Sequence, residues 1–75
     1  MTLSRDLSVG LTGDDVVALQ TYLESNGYLV MPEGVAKGYF GGRTKAAVMN
    51  FQKDEGLPMV GRVGPMTRGV LNQGQ

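Results

Sequence analysis

Gly38-Tyr39-Phe40-Gly41-Gly42-Arg43-Thr44-Lys45-Ala46-Ala47-Val48 recurs 23 positions later as Gly61-Arg62-Val63-Gly64-Pro65-Met66-Thr67-Arg68-Gly69-Val70-Leu71. Each copy runs glycine, a variable position, an apolar residue, a second glycine, two variable positions, threonine and a basic residue. A turn that docks one apolar side chain and then opens a helix needs this order. Glycine supplies backbone angles that other residues resist, and Phe40 or Val63 anchors the turn on a core. A loop-to-helix unit used twice in 75 residues points to a small module built by duplication and suited to binding rather than chemistry.

Outward from the repeat, three helices are expected. Thr12-Gly13-Asp14-Asp15 reads as a helix start, with Thr12 placed to cap and Asp15 three positions on, as in a capping box. Val16, Leu19 and Leu23 follow at helical spacing, widened by Val17 and Tyr22, and Asn26-Gly27 gives the stop. This predicts a first helix over about 14–26. The first repeat opens a second helix near Arg43 that runs to about Glu55, with Ala47, Val48 and Phe51 buried and Gly56 ending it. The second repeat opens a third over about 65–72, where Pro65 suits the first helical position. Residues 1–12 read as an irregular opening segment in which Leu7, Val9 and Leu11 alternate. The stretch between the first two helices is a crossover of about 16 residues, longer than most connections, and its Tyr28, Leu29, Val30 and Val35 are expected to pack. The fold class is therefore all-α: a three-helix bundle with a long first crossover, forming one domain over residues 1–75. A second echo, Val16-x-x-Leu19-Gln20 against Val48-x-x-Phe51-Gln52, puts a glutamine at the same place in two helices, suited to bonding loop amides that would otherwise be buried unpaired.

Composition narrows the function. The chain has no cysteine and no histidine, so a disulfide framework, a thiolate nucleophile and a His-dependent triad are excluded, and a zinc site would rest on carboxylates alone. No cofactor or metal is expected. The 41 % hydrophobic and 19 % charged fractions fit a folded domain. No apolar run nears the ~20 residues of a membrane span, and Met1 leads into Thr2-Leu3-Ser4-Arg5-Asp6 without a signal peptide, although an excised piece of an exported protein would look the same. Net charge is zero, yet Asp6, Asp14, Asp15, Glu24 and Glu33 face only Arg5 in residues 1–36. Lys37, Arg43, Lys45, Lys53, Arg62 and Arg68 face only Asp54 and Glu55 in the rest. That balance does not suit a nucleic-acid binder and suits a small anionic ligand beside the basic half.

Read in order, the motifs resemble the peptidoglycan-binding domain family of bacterial and phage cell-wall hydrolases. The likeness rests on Leu7-x-x-Gly10-x-x-Gly13-x-Asp15-Val16-x-x-Leu19-Gln20-x-x-Leu23, then Gly27-Tyr28. It continues through Gly38-x-Phe40-Gly41-x-x-Thr44-x-x-Ala47-Val48-x-x-Phe51-Gln52 and Gly56-Leu57 to Gly61-x-Val63-Gly64-x-x-Thr67-x-x-x-Leu71. It covers roughly residues 7–72. The segment 30–37 is longer than the family's usual spacer. The same fold occurs in metalloprotease propeptides that inhibit through a cysteine, a residue this chain does not have. The resemblance implies a non-catalytic, monomeric module that binds peptidoglycan through its stem peptide or amino sugar. It would tether a fused or associated wall enzyme, with no nucleic acid and no membrane span, and would work outside the membrane: extracellular, periplasmic or at the wall. A protein-interaction bundle of the same fold without a glycan ligand is the alternative.

Six residues are candidates for ligand contact. Tyr28 and Tyr39 can offer an aromatic face to a sugar ring or peptide, or serve as half-buried packing residues. Arg43 opposes the helix dipole where it stands, and either serves a carboxylate in two-pronged geometry or is a solvated surface charge, the more ordinary role. Lys37 and Arg62 flank the repeated turns and extend a basic patch. Thr44 stands at the helix opening, where it contacts ligand or bonds within the turn. The expected site is a shallow groove between the first crossover and the loop before the third helix.

Overall fold

The computed structural model describes residues 1–74; Gln75, the last residue of the expected domain, lies outside the described residues. Three helices follow one another: α1 (Asp14–Ser25), α2 (Gly42–Asp54) and α3 (Pro65–Gly74). No extended strand joins them among the described residues; pairing is confined to isolated bridges. The helical spacing read from the sequence is what is buried. Val16, Leu19 and Leu23 of α1 meet Ala47, Val48 and Phe51 of α2 and Leu71 of α3 in one cluster, closed by Phe40 and Val63 from the two repeated turns. The Phe51 ring is central, with the Tyr22 and Tyr28 rings nearly perpendicular to it at centroid distances of 5.8 and 5.6 Å, the geometry aromatic quadrupoles favour.

The polar residues in this core are its organising feature. Gln20 and Gln52 are fully buried, each directly after a core residue of its helix, Leu19 and Phe51 respectively. The Gln20 amide oxygen accepts from Gly38 N–H at 2.8 Å, while its amide nitrogen donates to Tyr39 C=O at 2.8 Å and to Thr44 Oγ1 at 3.0 Å. Gln52 repeats the set on Gly61 N–H, Arg62 C=O and Thr67 Oγ1 at 2.9, 2.8 and 3.1 Å. Only a carboxamide supplies one acceptor and two donors in a fixed plane without charge. Each repeat is thus a turn clamped onto the preceding helix, and no buried side-chain polar atom is left unpartnered among the described residues.

The opening segment ties the corners together. Leu7 and Val63 exchange backbone hydrogen bonds at 3.1 and 2.8 Å, and Gly10, Leu11 and Gly13 bond Phe40 and Gly38. Further out, the Asn72 side chain accepts from Leu3 N–H at 2.7 Å and donates to Leu3 C=O at 3.1 Å. Leu3 is thereby buried in the core, a role the sequence reading did not assign. Helices α1 and α2 end alike: Tyr28 N–H reaches Leu23 C=O and Leu57 N–H reaches Gln52 C=O, both at 2.8 Å, with Gly27 and Gly56 completing the motif.

Three expectations need correction. Thr12 does not cap α1; Gly13 holds that position without a side-chain cap. Asp15 is taken by Arg5, whose Nε donates to it at 2.7 Å, and this hydrogen bond holds the Asp15 carboxyl below the usual carboxylate range. Its contribution to stability is present above that range and is lost as pH falls through the lowered value. Val9 is exposed where Leu7 is buried. In the crossover Leu29 is buried and Tyr28 packs half-buried on the core as expected, but Val30 is 82 % and Val35 47 % exposed. The short bonds of Tyr28 and Leu29 to Leu23 C=O hold the start of this loop, and the chain beyond runs over the surface.

Gly61 is where the second turn is tightest. Its φ is +78°, and a Cβ there would stand 2.6 Å from Lys45 Cγ, adding collision to left-handed strain. Gly27 has φ +81° with nothing within 4 Å. Chemical denaturation should therefore show Gly61→Ala losing about 3 kcal/mol and Gly27→Ala about 1 kcal/mol; equal losses would mean that the second turn is not seated on α2 as described.

Candidate functional site

The expected groove between the first crossover and the loop before α3 resolves into two separate recesses with no lining residue in common. The first, about 260 Å³, lies between the crossover and the start of α2. Met31 and Val35 form its apolar wall, Gly41, Gly42 and Thr44 its floor, and Tyr39 and Arg43 its rim. The Gln20 clamp holds the turn on both sides of that floor, through the backbone of Gly38 and Tyr39 and the side chain of Thr44. Tyr39 is 55 % exposed, and its ring lies over Gly41, where a Cβ would be 3.2 Å from a ring carbon. Glycine there lets the ring lie flat on the turn. The first-turn N–H groups of α2 have no intrahelical acceptor and favour an anion nearby.

Arg43 is exposed beside this floor. The ion pairs among the described residues are Arg5–Asp15, Lys37–Glu24 and Arg68–Asp6, so Arg43 is not neutralised by any of them. Thr44, by contrast, is 1 % exposed and accepts from Gln20. Its hydroxyl serves the clamp, which is the internal role, while the residue still lines the floor of the recess.

Two candidates lie elsewhere. Lys37 pairs with Glu24 and donates to Thr21 Oγ1 at 3.2 Å, so its charge is spent along α1. Tyr28 donates its hydroxyl to Asp54 Oδ2 at 2.7 Å, at the far end of α2 from Arg43. Eleven residues of helix separate the two, roughly 16 Å. The Asp54 hydrogen bond, helped by desolvation, pushes the Tyr28 phenol up to about 12.

Arg62 belongs to the second recess, about 190 Å³, between the loop before α3 and the start of that helix. Pro58, Val60 and Met66 supply its apolar surface, and the Arg62 guanidinium lies over Gly64 with Nη2 3.7 Å from the place of a Cβ. The structure thus brings Tyr39, Arg43 and Thr44 together, gives Arg62 its own cavity, and sets Lys37 and Tyr28 apart. The sequence reading missed the apolar walls at Met31, Val35, Val60 and Met66. Their signal was the presence of apolar residues in polar surroundings with no helical or strand period. Among the described residues no three acidic side chains gather as a cation site, and no helix is long and apolar enough to cross a membrane.

Residues 12–71 match the family described as "Putative peptidoglycan binding domain", and the chain belongs to it. Over 63 residues it is 48 % identical to a spore cortex-lytic enzyme of Bacillus subtilis (strain 168), covering 83 % of this chain and 20 % of that enzyme. The crystal structure of the SleB N-terminal domain superposes with a TM-score of 0.83 at 34 % identity, covering 97 % of this chain and 96 % of that one. The Burkholderia AP3 phage endolysin superposes with a TM-score of 0.79 at 34 % identity, covering 95 % of this chain and 26 % of the endolysin. The chain spans about a fifth of the length of the spore cortex-lytic enzymes of Bacillus that it matches. The all-α fold with three helices and the family read from the sequence are therefore correct, and the chain is a peptidoglycan-binding module.

The Tyr28 hydrogen bond is present below the ordinary tyrosine value of about 10 and is lost as pH rises through the raised one. Alkaline absorbance titration should show one phenolate forming with a midpoint near 12. In Asp54→Ala that midpoint should fall back toward about 10; an unchanged midpoint would mean that Asp54 does not hold the phenol.

Proposed function

We propose that residues 1–75 act as one monomeric module that holds peptidoglycan in the recess between the first crossover and α2. The module has no catalysis of its own and works in association with a wall-degrading enzyme. The observation that carries this reading is the meeting of an exposed aromatic ring, Tyr39, and an unneutralised guanidinium, Arg43, on a floor kept rigid by Gln20. Peptidoglycan offers complementary chemistry: amino-sugar faces that stack on a ring, and stem peptides with free carboxylates and small apolar side chains. Tyr39 would take the sugar or peptide face, Arg43 a carboxylate in two-pronged geometry, and Met31 and Val35 the aliphatic groups.

The mechanism is adhesion. A recess this small buries little area, so one soluble fragment binds weakly. On the polymer, a fused enzyme is returned to its substrate repeatedly, because each release leaves the module among many equivalent units. Such work is done at the cell wall, outside the membrane, which suits relatives that are a spore cortex-lytic enzyme and a phage endolysin.

Retention on purified, protein-free sacculi tests the reading. Arg43→Ala should weaken retention about tenfold, as expected for loss of a charge-assisted hydrogen bond, and Tyr39→Ala comparably. Tyr28→Phe, which keeps the ring on Phe51, should bind as the parent does. Retention of the Arg43 and Tyr39 variants equal to that of the parent, or loss confined to Tyr28→Phe, would contradict the assignment.

A further inference from the structure

We infer that the recess at the start of α3 is a second binding site, for the stem peptide and not for the amino sugar, so that one chain grips the polymer at two points. The inference rests on the reading of the first recess and extends it through the internal repeat.

Five residues lining the first recess, Tyr39, Gly41, Gly42, Arg43 and Thr44, correspond at the 23-residue offset to Arg62, Gly64, Pro65, Met66 and Thr67 of the second. Val35 of the crossover wall likewise corresponds to Pro58. The equivalence is physical as well as sequential. Both floors are backbone turns held by a buried glutamine through the same three hydrogen bonds, the two sets agreeing within about 0.1 Å. In each turn the side chain after the first glycine folds over the second glycine: the Tyr39 ring over Gly41, the Arg62 guanidinium over Gly64.

What changed between the copies sets the ligand. The cation moved from the helix position (Arg43) to the turn position (Arg62), and the helix position became Met66, 63 % exposed. No ring remains to stack on a sugar. A guanidinium that enters none of the ion pairs among the described residues stands beside Val60, Pro58 and Met66, and no carboxylate lines the cavity. That combination complements a short peptide with a free carboxylate and small aliphatic side chains, the chemistry of the stem peptide alone. An exposed apolar surface with an adjoining cation is thereby accounted for without a further protein partner. Two weak sites on one rigid body raise affinity for a polymer with repeating units while leaving affinity for a single fragment unchanged.

The test is an amide chemical-shift titration of the intact chain with two probes, a soluble disaccharide-peptide muropeptide and the sugar-free stem peptide. The proposal expects Arg62, Gly64 and Met66 to shift with both probes, and Tyr39, Gly41 and Arg43 to shift more with the muropeptide. Shifts confined to the Tyr39 group would overturn the second site and leave the first standing; shifts in neither group would overturn both. On sacculi, Arg62→Ala combined with Met66→Ser should reduce retention by about tenfold or more through lost avidity. The muropeptide shifts at Tyr39 and Arg43 should persist in that variant, which also reports that it is folded. Unchanged retention in a folded variant would overturn the inference, and the parent titration decides the matter if the variant does not fold.

Discussion

A buried glutamine amide satisfying a turn through three hydrogen bonds is the interaction on which the remainder of this structure depends, and it is made twice. The helices alone present short apolar stripes, and α3 contributes few large side chains. Gln20 and Gln52 turn the intervening loops into fixed corners, which bring Phe40 and Val63 into the core and aim α2 and α3. Each clamp converts a backbone N–H, a backbone C=O and a threonine hydroxyl from desolvation costs into partners. Removing one would strand polar groups that cost about 1–3 kcal/mol each.

The same constraint shapes the two recesses. A clamped turn cannot collapse, so the space beside it stays concave, and the side chains on its rim are displayed from rigid backbone. Gly10, Leu11 and Gly13 hold the first corner and Leu7 holds the second, so one opening segment links both recesses. Duplication preserved the floor and let the rim diverge: tyrosine and arginine at one corner, arginine and methionine at the other. In the proposed reading fold and ligand preference are thereby separated, with buried positions serving stability and variable positions serving recognition.

Much of this was legible in the chain because it is local. The apolar spacing of α1 and α2, the glycine stops at Gly27 and Gly56, Pro65 at the opening of α3 and the paired glutamines all lie within a few residues of what they determine. What escaped depends on distant partners. Thr12 reads as a cap, but Arg5 captures Asp15 and the helix starts on Gly13 instead. Leu3 has no periodic neighbours, and its burial follows from Asn72 at the other end of the chain. Tyr39 and Arg43 stand out as side chains without an evident structural task, the arginine set against the helix dipole, and both line one recess. Tyr28, Lys37 and Thr44 carry the same chemical promise in sequence, yet Asp54, Glu24 and Gln20 respectively engage them. A polar side chain's availability is a tertiary property.

Native-state hydrogen exchange at the amides of Gly38 and Gly61 tests the clamps most directly, since both lie in loops and would exchange quickly without them. The account predicts that both are protected to the level of the central amides of α2, opening only with global unfolding. Exchange at the rate of the exposed crossover around Val30 would contradict it, for the corners would then open independently of the core.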